Sequence, residues 1–284
     1  MYWCRHLAVV LSANLLLIPA AMADKGNYVL GGGAEFDSAD NLAMSVFGDL
    51  ATGDNTWLTM AVARNVAELG RGLESRTWYG ELGLDHYFDP AGIRIGAAYW
   101  GDNEILDSID VRFSLYTRGQ KGSLSMDFDY RDFEFDLPPI DILPRTRIPF
   151  HALGFGLSGR LEVSERVDVH AGGVRYEYSV DFDNPTLLRL AQQLSISRLS
   201  LLSSLIDWDV RAGIGIDFGL KRLQLDAARW RSSLDNGDNT SVSLRFMTPM
   251  TDRTDIELGL GYDDSELYGD VTFASVFILF YGGD

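Results

Sequence analysis

Residues 208–218 read WDVRAGIGIDF. Trp208, Val210, Ala212, Ile214, Ile216 and Phe218 occupy every second position, and Asp209, Arg211, Gly213, Gly215 and Asp217 stand between them. A period of two is the signature of a β-strand whose two faces meet different surroundings. One face here is wholly apolar, while the other is charged or bare. The run is about twice the usual soluble strand of ~5–6 residues and matches the ~9–11 that a tilted strand needs to cross a bilayer.

The same alternation extends in both directions. Upstream it includes Tyr28, Leu30, Ala34, Phe36; Ile93, Ile95, Ala97, Tyr99; Ile109, Val111, Phe113, Leu115; and Leu124, Met126, Phe128, Tyr130. Downstream come Val242, Leu244, Phe246, then Ile256, Leu258, Leu260, Tyr262, and a last set of Val271, Phe273, Phe277, Leu279 and Tyr281. The spacing predicts an all-β chain of 14 strands. One of them changes phase, from Val167, Val169 and Ala171 to Val174, Tyr176 and Tyr178, which predicts a β-bulge at Gly172-Gly173. Alternation is equally compatible with a soluble sandwich that turns its charged face to water.

Strand length, proline placement and loop lengths favour a membrane barrel. Pro90, Pro138, Pro139, Pro144, Pro149, Pro185 and Pro249 are expected in connections or at strand edges, as a closed sheet requires. Short connections such as Thr52–Asn55, Asp89–Gly92 and Gly119–Gly122 alternate with long ones at 66–75, 136–149, 182–205 and 233–240. Short turns on one side and long loops on the other are the outer-membrane pattern, with the short side periplasmic. In these respects the chain resembles a Gram-negative outer-membrane β-barrel of porin-like architecture, without pointing to one family. The resemblance implies a transmembrane antiparallel up-and-down barrel. It also implies a closing strand of alternating aromatic character, although Gly282-Gly283-Asp284 replaces the usual terminal aromatic.

The start of the chain reads differently. Arg5, an apolar stretch from Leu7 to Ala20 and the small residues of Ala21-Met22-Ala23 predict a signal peptide over 1–23, cleaved after Ala23. The stretch is short for a membrane anchor, the rival reading. The barrel domain would then be 24–284, exported to the bacterial outer membrane. Expected partners are outer-membrane lipid and lipopolysaccharide, and the barrel-assembly machinery during insertion. Cys4, the only cysteine, precedes the apolar stretch, so neither disulfides nor thiolate chemistry is expected in the barrel. The 24 basic residues against 41 acidic ones give a net charge of −17, which disfavours nucleic acid as a partner.

The inward phase holds the functional candidates. Glu81, Asp85, Asp110, Arg112, Asp127, Asp129, Arg131, Arg160, Asp209, Arg211, Asp217 and Asp226 fall there as candidate lumen and selectivity residues. The same phase assigns inward positions to Glu35, Asp49, Arg175 and Asp270, and small residues to the wall at Gly83, Gly96, Ala98, Gly154, Gly156, Gly213 and Gly215. Such glycines either leave gaps in the wall or permit strand curvature. Rings of carboxylate and guanidinium set ion preference in a pore, and an excess of acid favours cations. The leading reading is therefore a passive pore for small hydrophilic or cationic solutes. Its rival is a closed structural or surface-interaction barrel in which the same charges pair across strands. Residues 185–205 alternate at helical spacing and predict a helix in one outer loop, packed on the rim or entering the lumen.

An enzyme reading exists as a third option. Ser158, His170 and Asp168 are expected near one another on the eighth and ninth strands, a set suited to nucleophilic hydrolysis. Arg160, however, is the natural partner of Asp168. Gly31-Gly32-Gly33 has no following helix and is not a phosphate cradle. Asp235, Asn236, Asp238 and Asn239 suit calcium but fit a solvated turn better. Three scattered histidines after the signal predict no transition-metal site, and no cofactor is expected.

Overall fold

The computed structural model describes residues 27–68, 74–101, 106–137, 146–180, 205–233, 236–266 and 269–283. They form β1 (Tyr28–Asp37), β2 (Leu42–Gly53), β3 (Thr56–Glu68), β4 (Glu74–Tyr87), β5 (Ala91–Gly101), β6 (Leu106–Gly119) and β7 (Gly122–Leu137). The second half contributes β8 (Thr146–Ser164), β9 (Val167–Tyr178), β10 (Ile206–Phe218), β11 (Lys221–Ser232), β12 (Asp238–Thr251), β13 (Thr254–Ser265) and β14 (Gly269–Gly282). Each strand pairs with its neighbours in sequence, and β1 pairs antiparallel with β14 to close a 14-strand barrel. At the seam Tyr28 lies opposite Gly282 and Asp37 opposite Phe273.

Closure leaves no unpaired edge strand, so the backbone groups along the body of the barrel are paired within the sheet. That is the condition for a sheet to stand in hydrocarbon. The outer face confirms the environment. Val46, Leu82, Ile109 and Leu260 are 57–64 % exposed, and they belong to an apolar band running round the barrel. A soluble protein does not present a band of that extent to water. Phe113, Phe128 and Phe155 continue it as a ladder across β6, β7 and β8, with ring centroids 6.3 and 5.3 Å apart. Trp78, Tyr130 and Tyr262 flank the band toward the long-loop end, and Tyr28, Phe88 and Phe218 toward the short-turn end.

The expected loop asymmetry is present. Turns at 54–55, 120–121, 165–166, 219–220 and 252–253 join strands at one end. The strand ends Leu137, Thr146, Tyr178 and Ile206, which the longer connections join, lie at the other. The helix expected over 185–205 falls, except for Leu205, outside the described residues.

Two strands differ from their sequence reading. β9 carries no bulge at Gly172-Gly173: Ser158 faces Gly172, Leu157 faces Gly173 and Gly156 faces Val174 without interruption. Val174, Tyr176 and Tyr178 therefore point inward, and Arg175 and Glu177 outward. β14 runs in the phase opposite to that expected. Val276, Ile278 and Phe280 are its exposed outer set, whereas Val271 and Leu279 are buried at 3 and 8 %. Asp270 accordingly faces outward. In both strands apolar side chains are stabilised inside the lumen by packing on one another, so apolar character no longer marks the lipid face.

The prolines differ in a smaller way. Pro149 and Pro249 sit within β8 and β12, opposite Glu134 and Asp255. The β7–β8 hairpin, with strands of 16 and 19 residues, is long enough to project past the bilayer, and Arg147 beside Pro149 is well exposed. Water there can serve the ladder position that proline leaves without a donor. Pro249 lies where the β12–β13 register shifts, next to the turn.

Candidate functional site

All 12 candidate charges stand on the inward phase, and the structure sorts them into two networks. The first spans β4 to β9. Arg112 Nη1 lies 3.1 Å from Glu81 Oε2, and its Nη2 lies 3.4 Å from Asp110 Oδ2. Arg131 Nε approaches the same Asp110 oxygen at 3.2 Å from the facing position on β7. The Tyr79 hydroxyl donates to Glu81 and accepts from Arg112 Nη1 at 3.1 Å. Asp129 accepts from the Tyr176 hydroxyl at 2.8 Å. Nearer the short turns, Arg94 donates to Asp85 at 2.9 and 3.1 Å, and the Tyr116 hydroxyl donates to the same carboxylate. Asp127 takes Ser125 at 2.9 Å and Ser158 at 3.4 Å.

The second network spans β8 to β13. Asp168 Oδ2 receives Arg160 Nη2 at 3.0 Å and Arg222 Nη2 at 2.6 Å. Arg222 Nη1 also reaches Asp217 at 3.0 Å. Asp226 accepts from Arg245 at 2.8 Å and Gln224 at 3.0 Å, and pairs with His170 Nε2 at 2.9 Å. Arg211 pairs with Asp209 on its own strand.

Several of these links join strands that are not neighbours. Tyr176 on β9 and Asp129 on β7 both face Gly154 of β8. His170 on β9 and Asp226 on β11 both face Gly213 of β10. A Cβ added at either glycine would overlap the side chains that meet over it. No side chain overlaps a Cβ built at Gly96 or Gly156, whereas Gly154 and Gly213 are low points of the wall over which flanking side chains lie flat and join. Gly31 and Gly33 do the same for the rings of Phe47 and Phe277.

The serine, histidine and aspartate weighed for catalysis are not assembled. Ser158 faces Gly172, and Arg160, not Ser158, faces His170. His170 is engaged by Asp226, while Asp168 is held between two arginines. The register sets Ser158 and His170 two positions apart, because the hairpin turns at Glu165-Arg166 and not around Ser164. In the outer turn weighed for calcium, Asp238 pairs instead with Arg229 at 2.7 Å and Arg231 at 2.8 Å. Asp235 falls outside the described residues.

Other lumen residues were missed. Arg222 and Asp263 follow the inward phase of their strands and could have been read from it. The lumenal aromatics could not. Trp100, Phe133, Phe135 and Phe150 form a buried cluster with Leu106, Ala152 and Leu205 at the long-loop end, and Phe133 stacks on Phe150 at 4.8 Å. A second cluster joins Phe47, Ala61 and Leu279 with Val29, Met247, Phe277 and Tyr281. The lumen is consequently two-sided. Arginine–carboxylate networks reach from β4 to Glu257 of β13, 3.9 Å from Arg245, whereas β13, β14, β1, β2 and β3 contribute no basic side chain to the inward phase.

A closed barrel of 14 antiparallel strands, apolar outside and charged within, is a porin-like outer-membrane β-barrel in architecture. Solved structures of the same fold include the CymD monoaromatic hydrocarbon channel, 8% identical with a TM-score of 0.56, covering 92% of this chain and 89% of that one. A loop L8 deletion mutant of OmpT, an outer membrane protein of Vibrio cholerae, is 10% identical with a TM-score of 0.51, covering 91% of this chain and 100% of that one. At these identities the likeness is one of fold. No protein-family model and no curated protein matches the chain.

Proposed function

We propose that the chain is a passive pore of the bacterial outer membrane for small hydrophilic or cationic solutes. The carrying observation is that part of the inward charge stays in reach of water: the side chains of Arg112, Arg211, Arg245 and Asp217 keep 20–43 % of their surface, while Asp110 and Asp168 keep 2 and 5 %. A packed, dry interior strips water from such groups at high cost, so ion pairs with this exposure mark a hydrated path. Carboxylates outnumber guanidiniums along it, which attracts cations and repels anions. Glu81, Asp85, Asp110, Asp127, Asp129, Asp209, Asp217 and Asp226, with Arg112, Arg131, Arg160 and Arg211, are the residues to which this reading assigns selectivity. It makes the chain a conduit and not an enzyme, since Ser158, His170 and Asp168 are each committed elsewhere. Cleavage of 1–23, contact with lipopolysaccharide and delivery by the barrel-assembly machinery belong to the same reading.

Purified protein reconstituted in planar bilayers tests it: stepwise conductance with a reversal potential favouring potassium over chloride is expected, and absence of conductance overturns it. One observation favours the closed, surface-interacting alternative. Leu205, where the 179–205 connection enters β10, is 2 % exposed and sits among Phe133, Phe150 and Trp100 at the outer mouth. A silent bilayer with a folded barrel would select that reading.

A further inference from the structure

On the outer face of the barrel, paired residues form rows that can be followed across four strands. Gly159 of β8 faces Ala171 of β9, Ala171 faces Ala212 of β10, and Ala212 faces Ala227 of β11. The next row toward the short turns is bulky throughout, from Leu161 on β8 to Leu225 on β11. Leu124 of β7 and Val242 of β12 end the small row on either side. Small side chains between large ones leave a groove of about 700 Å³ in the lipid-facing wall. That falls within the ~300–1,000 Å³ of sites that hold a ligand. On β9, Gly173 carries the low floor on from Ala171 toward the long-loop end.

Positive charge stands above that floor. Gly173, Val210 and Arg229 form the next row toward the long loops, and Arg175, Trp208 and Arg231 the one after it. The side chains of Arg229 and Arg231 keep 58 and 40 % of their surface, and Asp238 holds the two guanidiniums together at 2.7 and 2.8 Å. Arg231 also lies over the Trp208 ring, 5.8 Å from its centroid. Arg175 is exposed on β9, and Glu177 two positions past it ends the basic patch. A guanidinium carries five N–H donors in a planar fork, so one carboxylate shared between two of them does not use up their donors. At the same end of the barrel the outward side chains of β7, β13 and β14 are acidic: Asp132, Glu134, Asp264 and Asp270. Arg64 of β3, over the Trp78 ring at 5.2 Å, is outward too, but Met60, Val62 and Leu82 below it are 45–57 % exposed and fill the wall. The stretch from β9 to β11 joins guanidiniums to a groove.

Hydrocarbon fills any groove on a lipid-facing wall, and the charge above the groove decides which lipid stays. We infer that this one is a seat for lipopolysaccharide. One acyl chain lies over Gly159, Ala171, Ala212 and Ala227, and the headgroup phosphates bind Arg175 on one side and Arg229 with Arg231 on the other. The two arginine positions stand two strands apart, about 9.6 Å, which suits a headgroup with two separate phosphates. Arginine forks pair with phosphate through two parallel hydrogen bonds. The long-loop end faces the cell exterior, where the outer leaflet supplies such a lipid. The seat gives residues to the lipopolysaccharide contact of the preceding reading; it rests on the outer-membrane placement and not on conduction.

Barrel refolded in detergent, free of copurified lipid, is titrated with diphosphoryl lipid A, monophosphoryl lipid A and phosphatidylglycerol, and bound lipid is counted by native mass spectrometry. Diphosphoryl lipid A is expected to bind at the lowest concentration. The Arg175→Gln/Arg229→Gln double variant, which leaves Asp238 paired with Arg231, should need about tenfold more for the same occupancy. Ala212→Leu, which fills the groove and keeps every charge, should weaken binding by a similar factor. Arg64→Gln should bind like wild type. Heat-modifiable migration on a gel checks that each variant is folded. Equal binding of the three lipids overturns the seat. So does a double variant or Ala212→Leu that binds like wild type, or an Arg64→Gln as weak as the double variant. Recording in planar bilayers separates this from the pore. A silent barrel that prefers diphosphoryl lipid A removes the pore and keeps the seat, and a conducting barrel indifferent to it does the reverse.

Discussion

The Tyr176 hydroxyl reaches the Asp129 carboxylate at 2.8 Å across the whole width of an intervening strand, above Gly154. Strands two apart in a sheet are separated by about 9.6 Å, so two side chains meet over the middle strand only if it raises nothing between them. Glycine meets that condition without any demand on its backbone angles. Gly154→Ala is expected to drive the Tyr176 ring off the wall and break the bond. The expected cost is about 1–3 kcal/mol, combining overpacking with a stranded buried carboxylate. Gly80→Ala, where an added Cβ meets nothing within 4 Å, should change stability by less than about 0.5 kcal/mol. Urea unfolding of vesicle-inserted protein compares the two.

Asp168 holds Arg160 and Arg222 together with a side chain only 5 % exposed. Asp168→Asn leaves two guanidiniums facing one another in a poorly hydrated place. A loss of about 3 kcal/mol or more is expected, since removing one partner of a buried ion network strands the others. The same variant should move the reversal potential in a potassium chloride gradient toward the chloride value. Unchanged stability together with unchanged selectivity would remove Asp168 from the working lumen.

The orientation of β14 is directly measurable. With Cys4 replaced, a fluorophore placed through Ile278→Cys is expected to be quenched by lipid-borne nitroxides and protected from aqueous iodide. One placed through Phe277→Cys should show the reverse. Identical quenching at the two positions would contradict the alternation of exposed Ile278 and inward Phe277.

Leu205 fills the outer aromatic cluster, so Leu205→Ala should open space there. The expected cost is about 2–5 kcal/mol of stability. If the cluster narrows a conducting path, single-channel conductance should rise in the same variant. A conductance that stays at the wild-type level would place the narrowest point elsewhere in the lumen.

The alternation of residues 208–218 made β10 legible, and the same rule held wherever the inward phase was polar. It failed for Tyr176 and Tyr178 and for Phe273, Phe277 and Leu279, because apolar residues that pack on one another inside a barrel look, in sequence, like residues bathed in lipid. Arg222 was readable from its place beside Leu223 and Leu225. The partnership of Tyr176 with Asp129 was not, since it depends on two registers and on a glycine belonging to a third strand. Individual lumen charges were thus visible in the sequence, but the pairs they form were settled only by the closed sheet.

Every ladder of the sheet except one joins strands adjacent in the chain; the exception brings Tyr28 to Gly282. The hairpins can therefore form locally and early, whereas this seam must bring together segments separated by nearly the full length of the polypeptide. Until it zips, two rows of backbone amides and carbonyls face hydrocarbon unpaired, each at a cost of several kcal/mol. Insertion and closure are for that reason coupled events, and the time this protein spends unfinished is set by its last ladder.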